Sequence, residues 1–220
     1  MTYEDLVAEL VARQALIVHC STVAKEGSGR PLFPEDMRIA AALLDAGLEQ
    51  LSCSVVWPGH QHSYGAVGIV VRPRSTASIT SLKPHDAGSI LDPSTGSLLG
   101  DGVPLSAQAV AETFEGSVGY NEWTVGDADC VGIFVNRLEP LTVAARVEWR
   151  DVPGTDPSMW DQDSVLHEVG ITLEEIARLF PGLPILGFVD GEIRDAGGLR
   201  VSPYLAEVAG PPEGGPDGAC

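Results

Sequence analysis

Apolar residues recur along this chain first at helical and then at strand spacing. Leu6, Val7, Leu10 and Val11 follow a helical rhythm behind Thr2 and Asp5, so a capped helix is predicted over residues 3–13. The apolar β-type run over 15–20, ending in polar residues, predicts a strand, and the Gly/Ser-rich stretch through Gly27, Gly29 and Pro31 predicts a long loop after it. Pro34, the acidic pair Glu35 and Asp36, and Gly47 beyond the last apolar position bracket a second helix over 34–46. Strand patterns over 51–57 and 66–72, joined by a short polar link that starts at Pro58-Gly59, predict a hairpin.

Farther along, Gly88, Pro93, Gly96, Gly100, Gly102 and Pro104 mark 86–104 as a loop of the kind that often serves a substrate, and 106–112 predicts a short helix. Three more strands are expected over 122–125, 130–135 and 141–147, with turns at Gly126-Asp127 and Asn136-Arg137. Residues 151–157 are a linker by composition, and 163–169 predict a short helix or strand. Thr172 with Glu175 forms a capping box for a helix that Pro181-Gly182 ends. Strands are expected near 185–189 and 200–205, and the Gly/Pro-rich, acidic 210–220 predicts a disordered tail. The fold class that follows is α+β: a central, mostly antiparallel β-sheet with flanking helices over 1–150, a small C-terminal α/β appendage over 151–209, and the tail.

With 220 residues, 44% of them hydrophobic, the chain is long enough to bury about 70% of its unfolded surface and needs no covalent staple. Thirteen Lys and Arg against 31 Asp and Glu leave a net charge of −18, which repels nucleic-acid phosphates and anionic membrane faces. Lys25 and Lys83 are the only lysines, a bias that, with the abundant Ala, Gly, Val and Pro, fits a high-GC bacterial coding sequence. Cys20, Cys53, Cys130 and Cys220 form no C-x-x-C pair, so a reduced, cytoplasmic protein is the simplest expectation. Glu4, Asp5 and Glu9 interrupt the first apolar segment, which argues against a signal peptide, and no run of 18 uncharged apolar residues predicts a membrane span.

The candidate chemistry centres on Glu122, a carboxylate set between Tyr120, Trp123 and Val125 in a strand-like segment. A carboxylate among such neighbours is either paired or employed, because an ionised group is rarely buried alone. His19 ends the first strand and Arg74 follows the strand over 66–72, and residues from different strand ends commonly converge on one cleft. A neutral donor, a fixed cation and a carboxylate together suit cleavage of an N-glycosidic bond, where charge builds up on the sugar.

A strand ending in His19, the Pro-Arg step in Val71-Arg72-Pro73-Arg74-Ser75 and the later strand Asn121-Glu122-Trp123-Thr124-Val125 together resemble the ADP-ribosyltransferase fold, and within it the DarT-type enzymes. The resemblance covers roughly residues 15–137. It implies NAD as the substrate, His19 on the nicotinamide-side ribose or amide, Arg74 on the phosphates or substrate, and Glu122 stabilising the ribose oxocarbenium ion. It further implies Ser21, Arg72, Tyr120 and Asn121 as NAD contacts. The short interval between Arg74 and Glu122 leaves little room for the large substrate loop of the nucleic-acid-modifying relatives. With the acidic charge, that favours a small-molecule or protein acceptor unless Arg72, Arg74, Lys83 and His85 gather into a basic patch.

Two other function classes stay open. One is a non-catalytic, acidic partner-binding protein in which Glu122, Arg74 and His19 only support the fold. The other is a metal-dependent enzyme in which His60 and His62, on one side of an extended segment, bind a metal with His85 or a carboxylate. The chain contains no H-E-x-x-H, no P-loop and no G-x-G-x-x-G after a strand, and Gly96-Ser97-Leu98-Leu99-Gly100 misplaces the serine of a nucleophile elbow.

Overall fold

A computed structural model describes residues 1–20, 35–48, 50–60, 63, 67–86, 102–115, 120–136, 138, 142–150, 163–170 and 172–204, with 35–36, 85–86, 142–150 and 163–170 described by their backbone. Ser21, the loop expected after the first strand, Pro34, His62, the loop over 87–101, the linker over 151–157 and the C-terminal tail lie outside the described residues.

Helix α1 (Tyr3–Arg13) forms as its rhythm predicts. The Thr2 hydroxyl accepts from the Asp5 amide at 3.1 Å, the Asp5 carboxylate accepts from the Thr2 amide at 2.9 Å, and Leu6 and Leu10 are buried. Beside it runs β1 (Leu16–Cys20), the middle strand of the sheet. It pairs antiparallel with β2 (Leu51–Val56) on one side and with β3 (Val67–Pro73) on the other. The hairpin expected between β2 and β3 therefore does not form. β1 is apolar at nearly every position and takes the covered place between them. Gly68 permits the close approach on that side, since a Cβ there would press into the His19 carbonyl.

Helix α2 (Glu35–Asp45) and α3 (Ala107–Glu115) flank the sheet. The segment starting at Ile79, to which the sequence pattern assigns no element, is an edge strand, β4 (Ile79–Asp86), which pairs with β5 (Tyr120–Val125). Beyond it come β6 (Ala128–Val135), β7 (Thr142–Arg150), β8 (Asp163–Gly170), α4 (Leu173–Leu179), β9 (Ile185–Val189) and β10 (Glu192–Asp195). The architecture is α+β, with four helices among the described residues and an open eight-stranded sheet ordered β10-β9-β6-β3-β1-β2-β5-β4. Every neighbouring pair is antiparallel except β6 with β9. β7 and β8 form a separate two-stranded sheet.

Gly126-Asp127 does turn the chain, with Asp127 at a left-handed φ of 44°, but not as a hairpin. β5 pairs with β2 and β4, whereas β6 pairs with β3 and β9. The step from β3 to β4 rounds the same corner through a short 3-10 turn at Thr76–Ser78. The two corners are stitched together: the Gly126 amide donates to the Ser78 carbonyl at 2.8 Å, and the Ser78 hydroxyl donates to the Asp127 carbonyl at 2.9 Å.

The C-terminal region differs from its expected outline. β9 and β10 extend the same sheet as β1–β6, and residues 200–204 are irregular where a strand was expected. The second strand of that region is instead β10, which follows β9 around the tight Asp190-Gly191 turn, both residues at positive φ. Tyr204 is buried, and its hydroxyl accepts from the Ile17 amide at 2.8 Å and donates to the Val71 carbonyl at 3.4 Å. That hydroxyl fills the place where the β3–β6 register shifts between Val70 and Val71 and β1–β3 pairing stops short of Ile17. The core between these layers includes the fully buried Trp123, Phe134, Leu16, Ile17, Ile69 and Leu82. Among the described residues no helix is long and apolar enough to cross a membrane.

Candidate functional site

Glu122 lies on the outer face of β5. The strand alternates, with Asn121, Trp123 and Val125 turned to the core and Glu122 and Thr124 away from it, so the apolar neighbours that made Glu122 look buried belong to the other face. The carboxylate is paired on both oxygens. Oε2 accepts from Lys83 Nζ at 2.7 Å across the β4–β5 ladder, where Lys83 is directly opposite Glu122. Oε1 accepts from the Ser52 hydroxyl on β2 at 2.9 Å. The Glu122 side chain keeps 20% of its surface exposed and Lys83 keeps 32%. Burial pushes the Glu122 pKa up, but hydrogen bonds from Lys83 and Ser52 together with the Lys83 charge outweigh it, holding the carboxyl below its usual range and hence ionised at neutral pH.

His19 reaches the same place from β1. Its Nδ1 lies 2.7 Å from the Ser52 carbonyl, just beyond the last β1–β2 pair at Val18↔Ser54. A carbonyl only accepts, so Nδ1 carries a proton toward it and Nε2 is the ring nitrogen not engaged with Ser52. Ser52 therefore ties two predicted site residues together, His19 through its carbonyl and Glu122 through its hydroxyl. Ser52 was not singled out in the sequence, although the Leu51-Ser52-Cys53-Ser54 alternation marks it as an outward strand position. Beneath this cluster Cys53 is buried, and desolvation, Cys20 and Glu122 raise its thiol pKa well above the ordinary value, so it is a protonated core residue.

Arg74 does not join this cluster. Its guanidinium donates to Asp129 from Nε at 2.9 Å, to Asp127 from Nη1 at 2.9 Å and to Asp45 from Nη2 at 2.5 Å, and Nη1 also reaches the Asp45 carbonyl at 3.2 Å. These bonds tie the end of α2 to the corner shared by β3–β4 and β5–β6. The three carboxylates raise the Arg74 pKa, so it is a permanent cation. Arg72 donates to the other Asp129 oxygen at 2.9 Å, opposite it in the β3–β6 ladder. Burial raises the Asp129 pKa, and its two arginines more than reverse this. Arg72 and Arg74 are thus matched by carboxylates and make no basic patch with Lys83, and β4 places His85 by its backbone alone.

The remaining predicted contacts separate as well. Asn121 is 1% exposed, and its side-chain amide pairs with the backbone of Val55, accepting from the amide at 2.7 Å and donating to the carbonyl at 2.8 Å. It continues the β2–β5 ladder beyond Cys53↔Trp123 with a side chain in place of a peptide group. Tyr120 is 41% exposed at the start of β5. His60 is buried and stacked on Trp57 with ring centroids 4.1 Å apart, and no group of three metal-ligating side chains occurs among the described residues.

Two cavities lie elsewhere. One of about 330 Å³ sits at the corner between Gln50, Ser75, Thr80 and Asp127, and one of about 500 Å³ lies between Leu138, Leu173, Phe188 and Asp195. Neither is lined by His19, Ser52, Lys83 or Glu122. No protein-family model, curated protein or solved structure matches the chain.

Proposed function

We propose that this protein cleaves the nicotinamide–ribose bond of NAD and transfers ADP-ribose to a small-molecule or protein acceptor, with Glu122 as the working carboxylate and His19 beside it. The observation that carries this reading is the junction at Ser52, which brings His19 Nδ1 and Glu122 Oε1 onto one residue from two different strands. A half-buried, ionised carboxylate opposes the positive charge that develops on the ribose as nicotinamide departs, and its value lies in engaging that charge more strongly than the ground state. The imidazole, with Nδ1 held by the Ser52 carbonyl, offers Nε2 to a ribose hydroxyl. Arg74 has no part in this scheme, since its guanidinium is taken up by Asp45, Asp127 and Asp129, so phosphate binding falls to other groups. The net charge of −18 favours a small-molecule or protein acceptor over nucleic acid. The likeness to the ADP-ribosyltransferase fold belongs to the same proposal and rests on the strands bearing His19 and Glu122.

The test is nicotinamide release from NAD by the purified protein, with and without cell extract as acceptor source. Glu122→Gln is expected to lower the rate by about 10²–10³, the scale of a single electrostatic group. A second reading, a non-catalytic acidic partner-binding protein, is favoured by the pairing of both Glu122 oxygens with groups of the protein itself. It becomes the better account if neither wild type nor Glu122→Gln binds NAD or releases nicotinamide.

A further inference from the structure

We propose that Lys83 is the positioning residue of this site: it grips one oxygen of Glu122 from the edge strand and leaves the other, with the Ser52 hydroxyl, turned to the ligand. The inference rests on the reading that Glu122 is the working carboxylate and adds the cation that Arg74 does not supply.

Local structure explains why this lysine is well placed. Leu82, its neighbour, is fully buried and held on both sides. It pairs with Trp123 of β5, and on its other edge its amide donates to the Val103 carbonyl at 2.8 Å while its carbonyl accepts from the Val103 amide at 2.7 Å. The ladder shifts register between Ile79 and Ser81 and again between Lys83 and Asp86, and is regular through Ser81, Leu82 and Lys83. Lys83 thus stands on a fixed base at the last regular position of β4, opposite the carboxylate it serves.

The residue type matters as much as the place. Lys25 and Lys83 are the only lysines among 13 Lys and Arg residues. Arg13, Arg72, Arg74, Arg194 and Arg200 make ion pairs elsewhere. A guanidinium presents a planar fork that grips both oxygens of a carboxylate, whereas an ammonium is a point charge that holds one. At Glu122 that difference keeps Oε1 on an exchangeable serine hydroxyl, which a ligand group displaces more readily than a bidentate cation. Among the described residues, the other titratable groups near the carboxylate are His19, joined to it through Ser52, the buried Cys53, and Tyr120 two positions along the same face of β5.

The experiment pairs a titration of the Glu122 carboxylate by carbon NMR with the pH profile of nicotinamide release, in wild type, Lys83→Met and Lys83→Arg. Loss of the cation in Lys83→Met is expected to move the Glu122 titration upward, and the acidic limb of the rate with it. Lys83→Arg is expected to leave the titration low yet reduce kcat by about 10- to 100-fold with little change in KM, because the fork captures both oxygens and misplaces the carboxylate. An unchanged titration in Lys83→Met overturns the proposal whatever the activity, as does a fully active Lys83→Arg. If wild type releases no nicotinamide, the transferase reading fails, while the titration still decides whether Lys83 holds Glu122.

Discussion

Replacing Asn121 by Ala removes a side chain that stands in for a peptide group. The amide makes two short hydrogen bonds, at 2.7 and 2.8 Å, to the amide and carbonyl of Val55, a residue with no exposed surface. Removing it orphans a buried donor and a buried acceptor at once. Each orphan costs about 1–3 kcal/mol, so the expected loss is about 2–6 kcal/mol, at the lower end if water enters the space. A loss of about 3 kcal/mol lowers the Tm of a chain this long by roughly 6–12 °C. Urea denaturation followed by tryptophan fluorescence reads the change directly, because Trp123 neighbours the altered position and is fully buried. A loss below about 1 kcal/mol, accompanied by weaker NAD binding, would refute the reasoning and return Asn121 to the ligand-contact role that the resemblance implies.

Tyr204→Phe keeps the ring but strips the Ile17 amide of its acceptor, and is expected to cost about 1–3 kcal/mol; a Tm equal to wild type would show that the hydroxyl bond carries no weight. Acid stability follows from Glu122 and Asp129, whose folded-state pKa values are both lowered from the ordinary carboxylate value. Their stabilisation is complete above that value, about pH 4, and is lost as pH falls through the lower folded values, so the unfolding free energy should decline below about pH 4. An acid titration of Asp129→Asn should fall less steeply there than wild type, and parallel curves would remove Asp129 from the account.

The helices were the most legible parts of this chain. The Thr2–Asp5 and Thr172–Glu175 capping boxes act within four residues, so α1 and α4 form where their local patterns predict. The apolar runs of β1, β2, β3, β5, β6 and β9 were legible for a similar reason: a strand that is buried must be apolar wherever its partners lie. β4 was missed because an edge strand alternates Leu82 with Ser81 and Lys83 and carries Pro84 two residues before its end, a composition that also describes a loop. Pairing was not legible either. β2 and β3 read as a hairpin because they are neighbours in sequence, yet β1, apolar but for His19, pairs with both and separates them.

The site divides along the same line. By itself the sequence determined that Glu122 sits in a strand, that His19 lies near the end of one, and that an ionised carboxylate in such a setting must have partners, because desolvating a charge is costly. Tertiary structure alone decided who the partners are. Strand order sets β4, β5, β2 and β1 side by side, so Lys83, Glu122, Ser52 and His19 meet, although they lie far apart in the chain. The same strand order carries Arg74 to the corner with Asp45, Asp127 and Asp129, where it ties α2 to the turning strands. Residue identity sets what each group can do, and sheet register, fixed by long-range burial, sets which groups do it together.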